Sequence, residues 1–448
     1  MDWSFLTRNN ESLTVTTDSR KITPGCVFVG LKGEHFDGNT FVAQALEMGA
    51  AYAITDAEQP MTCSQAKDYN GRIIRVDNSL LALQEMARAW RRELGLPIIG
   101  ITGTNGKTTT KELLAAVLST KYTLHYTQGN LNNQIGVPLT LLQMTRAHEL
   151  AIVEMGASHP GDIKELVQIA EPNYGLITNV GRAHLQGFGS FEGVMKTKAE
   201  LYDWLVAHNG TIFRNADNPH LKEMYLTAKR SWSDLEAVIQ QSGLSGEAGL
   251  LYHTGTMPEG THLVGGYNAE NVSAAICVGQ YFGVSQEDAL AAIRAYVPSN
   301  NRSQLMQTER NTVIVDAYNA NPTSMTAAIE AFYHTAPAVL QQSGPTGEAG
   351  PTGEASHETA RCFILGAMRE LGEYSHLEHQ NIVNMLLERK ADLVLLVGEE
   401  YKETTAPYPV FDNVDALCEH LQQEPISGYR ILLKGSRSNQ LEKVIPLL

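Results

Sequence analysis

The residues Leu80, Leu83, Met86, Ala87, Trp90 and Leu94 recur at helical spacing, which predicts an amphipathic helix over Ser79–Leu94. Gly95 and Pro97 follow it, the residue types expected just past a helix end. Upstream, short apolar runs at 26–31 and 72–76 alternate with Gly-rich turns and read as strands. Downstream the pattern changes. Apolar runs at 98–102, 150–155 and 174–180 predict strands, with helices over 107–119 and 161–170 between them. Such alternation reads as βαβ units around a buried parallel sheet and continues to about residue 298. The last third repeats the theme, with strands at 312–316, 362–365, 393–397 and 430–434 and helices at 324–332 and 377–388, giving a smaller second α/β unit.

The pattern therefore divides the chain into 1–90, 91–298 and 299–448, and a length of 448 residues fits about three domains. One stretch stands apart: GPTGEA occurs twice in tandem at 344–355, with no large apolar residue to offset the entropy of ordering. It reads as a mobile surface insert without a chemical role.

Composition narrows the function. Hydrophobic residues at 43% and charged residues at 19% exclude a mainly disordered chain. The net charge of −15 argues against non-specific binding to nucleic acid or anionic membrane, although a local pocket can still take an anion. No apolar run approaches the ~18 residues of a membrane helix, so no stable membrane insertion and a cytoplasmic location are expected. Cys26, Cys63, Cys277, Cys362 and Cys418 form no CxxC pair, and buried free thiols are expected rather than zinc or disulfides.

The sharpest local signal is the run from Gly100 to Thr110, GITGTNGKTTT, placed between an apolar strand and a helix. Gly103 and Gly106 let backbone N–H groups turn inward around an anion, and the helix N-terminus adds its positive dipole end. Lys107 supplies a cation for the β/γ-phosphates and the Thr108 hydroxyl is placed for Mg²⁺. The strict GxxxxGK[ST] pattern is not met, because its first glycine falls at Ile101. Glu154 ends the apolar strand LAIVE, where side chains face the ligand crevice of an open α/β sheet, and is a magnesium candidate. His184 follows another strand and reads as either a structural hydrogen-bonding residue or a ligand. Lys196 and Lys198 lie on an expected helix, where spacing alone favours a solvated face.

Taken together, these segments resemble the Mur ligase family of bacterial cell-wall synthesis. The resemblance runs nearly the whole length. It includes TDSR at 17–20, the phosphate loop, NLNNQIGVP at 130–138, EMGASHPG at 154–161, AHLQGFG at 183–189 and KAE at 198–200. It continues through the segment 268–271, DAYNANP at 316–322, GAMRELG at 366–372 and KGSR at 434–437. It implies three domains: an N-terminal one holding a uridine nucleotide, a central P-loop ATPase with a mainly parallel sheet, and a C-terminal Rossmann-like one. The activity implied is ATP-dependent addition of D-alanyl-D-alanine to UDP-N-acetylmuramoyl-tripeptide through an acyl phosphate, by a monomer using about two Mg²⁺.

By the same resemblance, Ser19 and Arg20 belong to the uridine-nucleotide side, and Asn132, Asn133 and Gln134 to the muramoyl peptide. Thr102, Gly103, Thr104, Asn105, Gly106, Lys107, Thr108 and Thr109 would hold the ATP phosphates, Asn268 and Asn271 the adenine, and Arg302 and Asp316 would reach ATP from the C-terminal domain. Tyr318, Asn319, Asn321, Lys434 and Ser436 are the dipeptide candidates. Lys198 occupies the position of a carbamylated lysine, which with His184 would hold a second Mg²⁺. Two positions depart from the family pattern: Tyr267 stands where His is usual and Asn301 where Gly is usual. The alternatives are another amide ligase of the superfamily, such as a folylpolyglutamate synthetase or the ligase for the third peptide residue, and a P-loop binding protein without ligase activity.

Overall fold

The computed structural model describes residues 3–7, 13–57, 71–239, 250–298, 302–334 and 360–448. The GPTGEA repeats, Cys63 and Asn301 lie outside the described residues. Three sheets follow one another along the chain. The first is parallel and runs in chain order: β1 (Val15–Thr16), β2 (Val27–Val29), β3 (Tyr52–Thr55) and β4 (Ile73–Arg75).

The second sheet is parallel and six-stranded, built from β5 (Ile98–Thr102), β6 (Leu124–Tyr126), β7 (Leu150–Glu154), β8 (Tyr174–Ile177), β9 (Thr211–Asn215) and β10 (Leu250–Tyr252). Its order is β10-β9-β8-β5-β7-β6. From β5 the chain places β6 and β7 on one side and then β8, β9 and β10 on the other, so the carboxyl end of β5 is a topological switch point, where a crevice opens. Every residue of β5 and β7 is buried, because helices cover both faces.

The third sheet comprises β11 (Gln304–Gln307), β12 (Thr312–Asp316), β13 (Arg361–Gly366), β14 (Leu393–Val397), β15 (Val410–Phe411) and β16 (Arg430–Lys434), in the order β11-β12-β16-β13-β14-β15. Edge strand β11 pairs antiparallel with β12, and the rest is parallel. Register sets Asp316 opposite Lys434 at the carboxyl ends of neighbouring strands.

Helix Ser79–Leu94 forms as its periodicity predicts. Asn78 caps its start by accepting from the Leu81 N–H, and Gly95 closes it in the left-handed region at φ 65°. Its apolar face joins one continuous core holding Val29 and Ile54 of the first sheet together with Leu141, Val153 and Leu166 of the second unit. The expected break at residue 90 falls inside this helix. The strand expected over 174–180 stops at Ile177, because Thr178 and Asn179 turn to bracket the phosphate loop. Of the four described cysteines, all free, Cys26 and Cys362 are buried as expected, while Cys277 and Cys418 are only half-buried.

Candidate active site

The chain leaves β5 through Gly103 at φ 149°, where a side chain has no room: a Cβ there would lie 1.9 Å from Thr178 Oγ1. Thr178 Oγ1 donates to Asn105 O at 2.6 Å and the Asn105 N–H donates to Asn179 Oδ1 at 3.0 Å, so β8 holds the loop in shape from beside it. Gly106 is left-handed at φ 78° and caps helix Lys107–Leu118 without a side-chain bond. Its first-turn N–H groups therefore have no capping side chain, the arrangement an anion completes. Lys107 folds back to donate from Nζ to Gly103 O at 2.8 Å and Thr104 O at 3.1 Å. Desolvation lowers its pKa to about 8, against the pull of Glu154 and with the repulsion of Arg302.

Glu154 ends β7 beside the loop, since register pairs it with Ile101. It is 2% exposed and accepts from Thr108 Oγ1 at 3.0 Å and from Asn132 Nδ2 at 2.9 Å. Fully buried Lys111 stands behind it, 3.9 Å from Glu154 and donating to Thr127 O at 2.7 Å.

A cavity of about 820 Å³ opens over these residues and reaches the third sheet. From that side Lys434, 1% exposed, pairs with Asp316 at 2.6 Å and donates to Asn319 O at 3.2 Å. The Arg302 guanidinium lies 3.9 Å over the Tyr318 ring, and its buried Nε has no hydrogen-bond partner among the described residues, as suits a cation awaiting an anion. His184, left-handed at φ 51°, meets the Glu370 carboxylate through Nδ1. Its pKa is lowered, mainly by burial, with Glu370 opposing.

The family model described as the Mur ligase family catalytic domain matches residues 13–91, and that of the Mur ligase middle domain matches 101–279. The UDP-N-acetylmuramoyl-tripeptide--D-alanyl-D-alanine ligase of Bacillus subtilis is 33% identical over 96% of this chain and 92% of its own length. The Escherichia coli ligase of the same name is 33% identical over 97% of this chain and 93% of its own length. The chain belongs to the Mur ligase family. Among solved structures of that family, MurF of Acinetobacter baumannii superposes with a TM-score of 0.76 at 27% identity, over 99% of this chain and 97% of that one. MurF of Thermotoga maritima, solved in complex with ADP, gives 0.75 at 25% identity over 98% of both chains. The three-sheet α/β architecture is thus that of a Mur ligase.

Within this Mur ligase, the cavity gathers most of the residues expected of it. Thr104 through Thr109, Asn132, Asn133, Gln134, Glu154, His184, Asn268, Asn271, Arg302, Asp316, Tyr318, Asn319 and Lys434 line it. Seven expected residues do not. Thr102 and Gly103 lie beneath the loop. Exposed Arg20 pairs with Asp18 at 2.9 Å beside Ser19, in a short helical turn of the N-terminal unit. Ser436 is buried and donates to Ala367 O at 3.1 Å. Asn321 is 3% exposed and donates from Nδ2 to Asn105 Oδ1 at 2.7 Å, while its own Oδ1 accepts from Asn105 Nδ2 at 3.4 Å. Lys198 is buried and does not line the cavity.

Lys198 also departs from the solvated face that its spacing suggested. Lys196 is exposed, but Lys198 is 2% exposed, because two residues along a helix turn about 200° to the opposite side. Burial pushes its amine well below the usual lysine range, and nearby Lys107 pushes the same way. The Phe188 ring, 5.8 Å away, is its neighbour.

Asn268 and Asn271 both reach the wall, yet their amides are already engaged. Thr110 Oγ1 donates to Asn271 Oδ1, Asn271 Nδ2 to Asn268 Oδ1, and Asn268 Nδ2 to Val264 O, at 3.0, 3.0 and 2.8 Å. Sequence reasoning missed Glu370, Glu270, Ser158, His159 and Asp162, all of which line the cavity. The motif segments at 154–161, 268–271 and 366–372 contained four of these; only Asp162 fell outside them.

Proposed function

We propose that this protein joins D-alanyl-D-alanine to UDP-N-acetylmuramoyl-tripeptide, consuming ATP, in the cytoplasm, as a step of peptidoglycan precursor synthesis. One observation carries the reading: the phosphate loop and the Asp316–Lys434 pair of the third sheet open onto the same cavity. A carboxylate must be activated before an amine attacks it, so triphosphate and acceptor have to share one water-poor space. The names of the full-length relatives supply the acceptor and the amine.

In this reading the γ-phosphorus is handed to the terminal carboxylate of the tripeptide, giving an acyl phosphate and ADP. The dipeptide amine then attacks the acyl carbon, and phosphate leaves with the pair of electrons of the C–O bond. Lys107 and the helix N-terminus behind it neutralise the transferring group. Arg302 meets phosphate from the opposite wall with its Nε, which has no partner among the described residues. Asn132, Asn133 and Gln134 orient the acceptor, and Tyr318, Asn319 and Lys434 the dipeptide.

Glu154 and Thr108 would hold a magnesium ion, and His184 with a carbamylated Lys198 a second. Among the described residues no three His, Cys, Asp or Glu side chains gather as a metal cage, which fits an ion that completes its shell with phosphate oxygens and water. Bound there, magnesium supplies positive charge to the phosphate oxygens. Lys198 suits carbamylation: buried, with its amine driven toward the neutral form, it can attack the carbon of CO₂ and release a proton. The test is incubation with ATP, Mg²⁺, the nucleotide-tripeptide and the dipeptide. Phosphate release that needs both acceptor and amine, with a pentapeptide product, is expected. Release on ATP alone, or none, overturns the reading. Lys198→Ala is expected to abolish turnover, and full activity of that variant removes the carbamate.

A further inference from the structure

Glu270 is a carboxylate in the cavity wall for which the ligation chemistry has no use. Its Oε1 accepts from Asn215 Nδ2 at 2.9 Å, and that same amide nitrogen donates to Thr254 Oγ1 at 3.0 Å. Its Oε2 accepts no hydrogen bond from the described residues. A half-buried acceptor left open toward a ligand cavity calls for a donor from the ligand.

The sheet order says which part of a nucleotide lies there. Asn215 ends β9, two strands from β5 in the order β10-β9-β8-β5, and Thr254 follows β10, three strands away. At a spacing of about 4.8 Å per strand they stand ~10 and ~14 Å from the strand that delivers the phosphate loop. That is the reach of a base beyond its sugar, rather than of the sugar itself. The opposite end of the cavity, toward Asn132, Gln134 and His159, lies on the β7 side of β5, where Asn132 is bonded to Glu154. The two asparagines beside Glu270 are occupied in bracing the loop: a Cβ on Gly106 would lie 2.5 Å from Asn271 Oδ1.

We infer that Glu270, held by Asn215, selects the nucleotide base by accepting a hydrogen bond from the exocyclic amine of adenine and opposing the carbonyl oxygen that guanine and hypoxanthine carry at the same position. The donor and acceptor patterns of the bases make this discrimination available to a single fixed acceptor, since adenine presents N–H where the others present lone pairs. A site built to receive a donor also penalises the analogue that lacks one. The inference rests on the ATP-consuming reading given above and deepens it.

The test compares ADP with inosine diphosphate, which differs only by a carbonyl oxygen in place of the amine. Calorimetry on the unaltered protein should show ADP binding at least about tenfold more tightly. Equal affinities overturn the inference whatever any variant does. Glu270→Gln, whose amide can turn either face to the ligand, should narrow the gap to about threefold and raise KM for ATP more than it lowers kcat. An unchanged ADP preference in a folded variant overturns the assignment. A changed preference for ATP over 2′-deoxy-ATP, with the base preference intact, also overturns it by moving the contact to the sugar. Absence of ligation product from the unaltered protein would sink the proposed function instead, while the binding ratio would still decide the role of Glu270.

Discussion

Trp90 and Asn321 each sit where two units meet, and their surroundings differ in kind. Trp90 is fully buried, donates from Nε1 to Met144 O at 2.9 Å, and shares one apolar core with Val29 and Ile54 of the first sheet. Asn321 faces Asn105 of the phosphate loop through a reciprocal amide pair. Val264 and Tyr267 of the second unit do pack on the third unit's core beside Ala320, but the other contacts near Asn321 include several polar ones. The Arg182 N–H donates to Thr323 Oγ1 at 3.0 Å, Arg182 pairs with Glu378 at 2.9 Å, and His184 meets Glu370. Apolar burial is lost as a whole when a seam parts, whereas a hydrogen bond exchanged for water costs about 1 kcal/mol or less net. The first two units are therefore joined mainly through shared apolar burial, whereas the third meets the second through a larger polar share. A seam that closes over the cavity would shut water away from an acyl phosphate.

The sharpest way to break this comparison is Trp90→Ala. Removing a fully buried indole from the shared core should cost about 3–5 kcal/mol. Urea unfolding followed at probes in the first and second units should shift together; separate midpoints would deny that they share a core. Next is Lys107→Ala, expected to lower kcat/KM for ATP by about 100-fold or more through lost phosphate stabilisation. Unfolding of both seams should be unchanged, so a large fall in stability would recast Lys107 as structural.

A smaller effect belongs to His125, whose ring accepts burial at the edge of the second sheet beside Thr140 O at 2.8 Å. Desolvation lowers its pKa to about 4, so between about pH 6.5 and 4 the unfolded chain binds a proton that the folded imidazole refuses. Stability should fall as the pH drops through that window, by about 2 kcal/mol after allowance for partial exposure. His125→Gln should flatten that part of the pH profile, and an identical slope in the variant would refute the assignment. The smallest effect is that of Asn321→Ala, about 1 kcal/mol on contact between the second and third units. Solution scattering with ADP should show a larger radius of gyration for this variant, more so in high salt, which also screens Arg182–Glu378. Equal compaction would show that the polar seam does not depend on the amide pair.

The sequence announced the elements in which local pattern and tertiary burial agree. Helix Ser79–Leu94 and strands Ile98–Thr102, Thr312–Asp316, Leu393–Val397 and Arg430–Lys434 have the bounds their patterns predict. Strands β1, β6, β10 and β15 did not show, because two or three residues are too few to display a period. Edge strand β11 did not show either: Gln304 and Gln307 bracket only Leu305 and Met306, too short an apolar run to display a period. In the candidate site, the phosphate loop and Glu154 were legible because strand ends fix where such residues point. Lys198 was not legible from spacing, since its burial depends on the helix being covered on both sides by other elements. Glu270 depends on the pairing of β9 with β10, residues far from it in the chain.

The joint ownership of helix Ser79–Leu94 has a practical consequence for dissecting the molecule. Severed near residue 90, the amino-terminal fragment would carry an exposed tryptophan face with nothing to lie against, and the remainder would have a matching trough open to solvent. Fragments made there should clump or need each other, and a clean excision would have to spare the two leading units and remove only the third.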